Sequence, residues 1–162
     1  MEPEMKEYGL IVVGTGAGMN VVDSAPKRGL KVAIVEEGPV GGTCLNRGCI
    51  PSKVLVHVAD VIREAEEAAK IGVSLKVESI DYKRIKERMW DIVMTGIGEM
   101  ETSLKQIKDI DFYNTIGTFV SDYTLQVGNE TTKAPRIVLA SAFGRLRPAN
   151  FEPKHHHNEQ SR

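Results

Sequence analysis

The apolar positions of this chain follow two rhythms. Residues 8–13 (Tyr-Gly-Leu-Ile-Val-Val) form a short continuous run closing on glycines, as a strand buried in a parallel sheet does. Lys31-Val32-Ala33-Ile34-Val35 repeats it and closes on Glu36 and Glu37. Between the two, residues from about 16 to 28 should form a helix stopped by Gly29. Pro26 removes a backbone donor in its last turns, which predicts a kink or an early end. Strand, glycine turn, helix and strand make a βαβ unit with a right-handed crossover.

The second rhythm is helical. Pro51 suits the first turn of a helix, where its missing N–H would be unpaired anyway. Val54, Leu55, Val58, Val61, Ile62, Ala65 and Ala69 follow at helical spacing, until Gly72 ends the run. A second long helix is predicted from about 81 to 106, with Ile85, Met89, Ile92, Val93, Ile97, Met100 and Leu104 on one stripe. Strands are expected at about 111–120, 123–127 and 136–140, with Asp122 and Gly128-Asn129 as turn signals. From Pro148 onward the sequence is polar and unpatterned, and reads as a disordered tail. The fold class is therefore α/β: a Rossmann-like βαβ domain, long helices and a small β-rich segment. Its expected extent is residues 1–147, with 148–162 as the tail.

Composition narrows the class. At 162 residues the chain is one ordinary domain or a piece of a larger one, and 41% apolar residues suffice for a packed core. A net charge of −1 argues against a nucleic-acid or anionic-membrane surface. The apolar runs are strand-sized, which predicts no transmembrane helix. The start, Met1-Glu2-Pro3-Glu4-Met5-Lys6-Glu7, is acidic rather than signal-like, so a cytoplasmic setting is expected.

Two clusters carry chemistry. Gly14, Gly16 and Gly18 follow a strand and open a helix, where backbone can approach a pyrophosphate at the helix N-terminus. Glu36 ends the next strand, 22 residues after Gly14, where an acid accepts hydrogen bonds from a ribose diol. The third glycine of G-x-G-x-x-G falls on Met19, so the helix is expected to stand further from the strand. Cys44 and Cys49, the only cysteines, are close enough to bridge if the residues between them form a turn or the first turn of a helix. So short a loop removes little chain entropy, which favours a redox pair over a staple. Cys49 precedes the helix that Pro51 opens, where the helix dipole and local amides could favour the thiolate. A static disulfide, two buried thiols or part of a metal site remain alternatives. For a metal, His57 is a helix away and a second cysteine pair is lacking, so no metal is expected.

The run Gly41-Gly42-Thr43-Cys44-Leu45-Asn46-Arg47-Gly48-Cys49-Ile50-Pro51-Ser52-Lys53, with the glycine turn before it, resembles the pyridine nucleotide-disulfide oxidoreductases. Within them the motif is most similar to the dihydrolipoamide dehydrogenase type. Glutathione reductases typically read Pro-Lys-Lys where Pro51-Ser52-Lys53 stands, and mercuric reductases carry valines at Leu45 and Ile50. The similarity spans about residues 8–140. It implies FAD as cofactor and NAD as the final acceptor, with a lipoyl-bearing or small dithiol as substrate. Gly14, Gly16 and Gly18 would hold the FAD pyrophosphate, Glu36 the adenosine ribose, and Gly42 and Thr43 the phosphate and ribityl arm. Cys44 would exchange with substrate, Cys49 would face the flavin, and Lys53 would lie near flavin N5. Gly117 resembles the glycine where the chain turns past the adenine. The alternatives are another reductase of the family (mercuric or glutathione-type), or an FAD-binding, thiol-redox fragment without NAD turnover.

The family's enzymes are longer, adding an NAD domain and a dimerisation domain, and a homodimer is expected of the full-length form. No second glycine turn follows residue 53. The family's Ala-Thr-Gly turn is replaced by Ala140-Ser141-Ala142, after which similarity is expected to fade. A truncated reading of a longer gene is the expectation.

Overall fold

The computed structural model describes residues 5–141, so the expected tail from Pro148 and the sequence after Ser141 lie outside the described residues. The elements run β1 (Met5–Glu7), β2 (Leu10–Val13), α1 (Met19–Val22), β3 (Val32–Val35), α2 (Gly42–Asn46), α3 (Cys49–Glu67), α4 (Tyr82–Gln106), β4 (Ile110–Tyr113), β5 (Gly117–Ser121), β6 (Thr124–Val127), β7 (Glu130–Lys133) and β8 (Ile137–Leu139). The central sheet is parallel throughout, in the order β4-β3-β2-β8. A second sheet, β1-β7-β6-β5, is an antiparallel meander with β1 added in parallel.

Alternation along the central strands sorts the core into two layers, because successive side chains point to opposite faces. Leu10, Val12, Val32, Ile34 and Ile110 pack beneath the helices with Val22 of α1 and Val93, Ile97 and Leu104 of α4. Ile11, Ala33 and Val35 pack on the other side with Leu125 and Val127 of the meander. Both faces of β2 and β3 are covered, which is why these strands read as continuous apolar runs.

Several expectations are corrected. The helix expected over 16–28 is one short turn, α1, followed by a 3-10 turn at Pro26–Arg28 and a left-handed Gly29. Pro26 enforces the early end. The strand expected over 111–120 is two strands, β4 and β5, in different sheets. β1 and β7, Met-Lys-Glu and Glu-Thr-Thr-Lys, carry too few apolar residues to have been foreseen. α4 matches its expected span and is capped by Asp81, whose side chain accepts from the N–H of Arg84. Its Met89, Val93, Ile97 and Leu104 are buried, whereas Ile92 is 37% exposed. α3 buries no residue fully, and Leu55 and Val61 of its expected stripe lie exposed.

A polar seam crosses the meander-facing layer. Ala33 pairs with Asp111 and Val35 with Tyr113, so both polar side chains share that face. The Tyr8 hydroxyl donates to Asp111 Oδ2 (2.7 Å) and lies 2.6 Å from the Tyr113 hydroxyl. Tyr113 in turn donates to Glu130 Oε2 at 2.9 Å. Lys31 pairs with Asp111 and Lys6 with Glu130, each at 2.9 Å, so both ends of the chain of oxygens are neutralised. Burial, with these hydrogen bonds, raises the Tyr8 pKa well above the ordinary phenol value. Two hydroxyl protons serve three oxygen–oxygen contacts, so at any instant one contact is without its hydrogen.

Candidate functional site: a glycine turn joined to a dithiol

The site is built where β2 and β3 end. Gly14 leaves β2 with its N–H donating to the carbonyl of Val35 at 2.8 Å. Its φ of +102° is one that an L side chain rarely adopts, and a Cβ there would lie 2.6 Å from the carbonyl oxygen of Ala140. The turn then brings Gly16 against Gly42, whose φ is +59° and whose added Cβ would sit 2.7 Å from the Cα of Gly16. Two backbones touch here because neither carries a side chain. Gly18 takes the packing role assigned to the missing third glycine: a Cβ on it would lie 2.6 Å from Val12 Cγ1. The helix therefore does not stand off despite Met19, which packs partly against the core.

Glu36 follows β3, and its carboxylate is held from two sides. Oε2 accepts from the Thr15 N–H (3.0 Å) and the Thr15 hydroxyl (2.8 Å), while Oε1 accepts from the N–H of Gly38 (3.0 Å). The N–H of Gly41 donates to the same Thr15 hydroxyl at 3.0 Å. Asn114 Nδ2 donates to the carbonyls of Glu36 and Gly38. Asn46 Nδ2 binds the carbonyls of Pro39, Val40 and Gly42. Thr15, Asn46 and Asn114 thus shape the site, and sequence reasoning missed all three as supports. Thr15 and Asn46 stood inside the motifs already quoted, but nothing in their spacing announces these bonds.

Cys44 lies in the short helical turn α2, and Cys49 is the first residue of α3 rather than a residue before it. Both are exposed thiols, which removes the buried-thiol alternative. A hydrogen bond with the Cys49 side chain raises the Cys44 pKa above its ordinary value, with Lys53 pulling the other way. Lys53 lies exposed one turn further along α3, and Thr43 is exposed in α2. Gly117 opens β5, and a Cβ on it would lie 3.0 Å from both Val35 Cγ1 and Leu125 Cδ2. It therefore sits beside the end of β3. The structure brings together Gly14, Gly16, Gly18, Glu36 and Gly42, and places the two thiols on the segment that Gly42 begins.

This arrangement fits FAD. A Cβ on Gly16 would meet nothing nearer than the Cα of Gly42 at 3.6 Å, so open backbone is presented at the middle of the turn; an oriented acid stands at the next strand end, and a redox-capable pair follows Gly42.

The family model described as pyridine nucleotide-disulphide oxidoreductase matches residues 8–159. The chain belongs to that family. The match continues well past residue 140, where the sequence pattern had suggested it would fade. Relatives within the family include a dihydrolipoyl dehydrogenase of Chlamydia muridarum, 35% identical over 83% of this chain and 30% of that protein. One of Bacillus subtilis is 38% identical over 68% of this chain and 23% of its own length. Among solved structures, the Cu(II) complex of the HOCl-induced flavoprotein disulfide reductase RclA from Escherichia coli superposes with a TM-score of 0.69. It is 26% identical, and the match covers 90% of this chain and 31% of that one. The chain spans about a third of the length of such relatives. No helix among the described residues is long and apolar enough to cross a membrane.

Proposed function

We propose that this chain is the flavin-and-dithiol portion of an FAD-dependent dihydrolipoyl dehydrogenase working in the cytoplasm. The observation that carries the proposal is the backbone contact between Gly16 of the nucleotide turn and Gly42 of the segment bearing Cys44 and Cys49. It makes one site of two motifs. Gly14, Gly16 and Gly18 would hold the FAD pyrophosphate, Glu36 the adenosine ribose, and Gly42 and Thr43 the phosphate and ribityl arm. Gly117 would border the adenosine end. Bound FAD would supply a two-electron acceptor that returns the pair to NAD+.

The chain's own chemistry is thiol–disulfide exchange. In the oxidised pair, a thiolate of dihydrolipoamide attacks Sγ of Cys44, forming a mixed disulfide and releasing Cys49 as thiolate. The second substrate thiol, losing its proton, then attacks the substrate sulfur of that mixed disulfide. The substrate leaves as a cyclic disulfide and Cys44 leaves as thiolate. The substrate is oxidised by two electrons and the cysteine pair is reduced by two. Lys53 contributes positive charge beside the thiolates. A homodimer is proposed for the full-length enzyme. For these 162 residues taken by themselves the second reading is FAD binding and thiol exchange without nicotinamide turnover, supported by the glycine turn and the exposed thiol pair among the described residues.

The test is anaerobic titration of the FAD-loaded chain with dihydrolipoamide. A long-wavelength absorbance band should appear on two-electron reduction and vanish in Cys49→Ser. A band that survives in Cys49→Ser refutes the assignment of Cys49, and a chain that retains no flavin refutes the cofactor.

A further inference from the structure

We propose that Thr15 is a positioning residue that aims Glu36 at the ribose of the bound nucleotide, through a hydroxyl shared with the dithiol segment. The inference rests on the FAD reading of the site. Thr15 is 1% exposed, and a buried hydroxyl is costly unless bonded. This one is bonded both as donor and as acceptor. It donates to Glu36 Oε2 at 2.8 Å and accepts from the Gly41 N–H at 3.0 Å. The Thr15 N–H adds a second bond to the same carboxylate oxygen.

The consequence is a carboxylate with little freedom. Both acceptor positions of Oε2 are filled from Thr15, and one position of Oε1 is filled by Gly38. An ionised carboxylate offers about four such positions, so one remains, on Oε1, for a ribose hydroxyl. Glu36 cannot turn without breaking these bonds, so a ligand meets an acceptor already ordered and no rotamer has to be frozen on binding. The same hydroxyl fixes the N–H of Gly41, which opens the turn that lays Gly42 on Gly16. Valine at position 15 would keep the shape, remove one of the three bonds that hold Glu36 and strand the Gly41 N–H.

The experiment compares the full chain with Thr15→Val and Thr15→Ser by calorimetry, using three probes. These are FAD, ADP and 2′,3′-dideoxyadenosine 5′-diphosphate, which keeps base and pyrophosphate but offers Glu36 no hydroxyl. Thr15→Val should weaken FAD and ADP by about tenfold, the scale of one hydrogen bond to a charged group. It should leave the dideoxy probe unchanged, and Thr15→Ser should restore binding of FAD and ADP. Should the valine variant fail to fold, Thr15→Ala is measured against Thr15→Ser in the same way. Equal weakening of ADP and the dideoxy probe would mean that Thr15 merely supports the turn, and overturns the proposal alone. A wild-type chain that binds neither FAD nor ADP overturns the FAD reading together with it.

Discussion

The glycine turn and the tyrosine seam adjoin the same parallel sheet and are made of opposite materials. At the turn, function resides in what is missing: Gly14, Gly18 and Gly42 carry no Cβ where one would run into the chain's own backbone, so backbone meets backbone. At the seam, order resides in side chains. Tyr8, Tyr113, Asp111 and Glu130 connect β4, the start of β2 and the meander through hydroxyl and carboxylate oxygens. The turn is rigid because its geometry leaves no alternative. The seam holds because each polar group finds a partner, and it depends on protonation states that pH can change. One region is therefore intolerant of a methyl group, and the other depends on the protonation of its oxygens.

The largest effect expected is at the turn. Gly42→Ala puts a Cβ 2.7 Å from the Cα of Gly16, at a φ of +59°, against backbone atoms with no flexible side chain to yield. FAD affinity should fall by more than about a hundredfold and stability by about 2–4 kcal/mol. Calorimetry and chemical denaturation measure the two. Wild-type FAD affinity in the alanine variant would remove the turn from the site.

Next comes the seam. Tyr113→Phe deletes the donor to Glu130 and the contact with Tyr8, and should cost about 1–3 kcal/mol while leaving FAD affinity intact. Its pH behaviour sharpens the contrast. Tyr8 has its folded pKa raised, so its stabilisation is complete below the unfolded value of 10.0 and is lost as pH rises above it. Burial opposes charge on Asp111, but hydrogen bonds from Lys31 and Tyr8 prevail and hold its carboxyl below the ordinary range. Hydrogen bonds from Lys6 and Tyr113 do the same for Glu130. Their stabilisation is present above the ordinary carboxylate values and is lost as pH falls through the lowered ones. Denaturation midpoints across pH should therefore decline at both extremes, and Tyr8→Phe should flatten the alkaline limb. An unchanged alkaline limb in Tyr8→Phe would take Tyr8 out of the pH response.

The smallest effect concerns the thiols. Cys49 is the leading cause of the raised Cys44 pKa, so Cys49→Ala should shift the Cys44 alkylation profile to lower pH. A profile that stays in place, or moves up, contradicts the coupling between the two thiols.

Reading the two regions from sequence alone was unequally successful, for a physical reason. Gly14, Gly16, Gly18 and Glu36 were legible because glycines encode backbone geometry locally and the acid sits one strand further on. The span of α4 was legible through its stripe and its cap. The seam was not, because Lys6 and Glu130 lie 124 residues apart and nothing local marks a tyrosine whose partner is another tyrosine in a different strand. β1 and β7 were missed because strands with so many polar side chains lack the apolar runs that mark β2 and β3. Thr15 was hidden for a third reason: its bonds depend on a loop that returns 26 residues later.

The central claim is that the nucleotide turn and the dithiol form one site. Peptide-resolved alkylation with and without FAD tests it most directly. FAD should shield Cys49 from iodoacetamide while Cys44 continues to react. Equal reactivity of Cys49 in the two states, with FAD demonstrably bound, would contradict it.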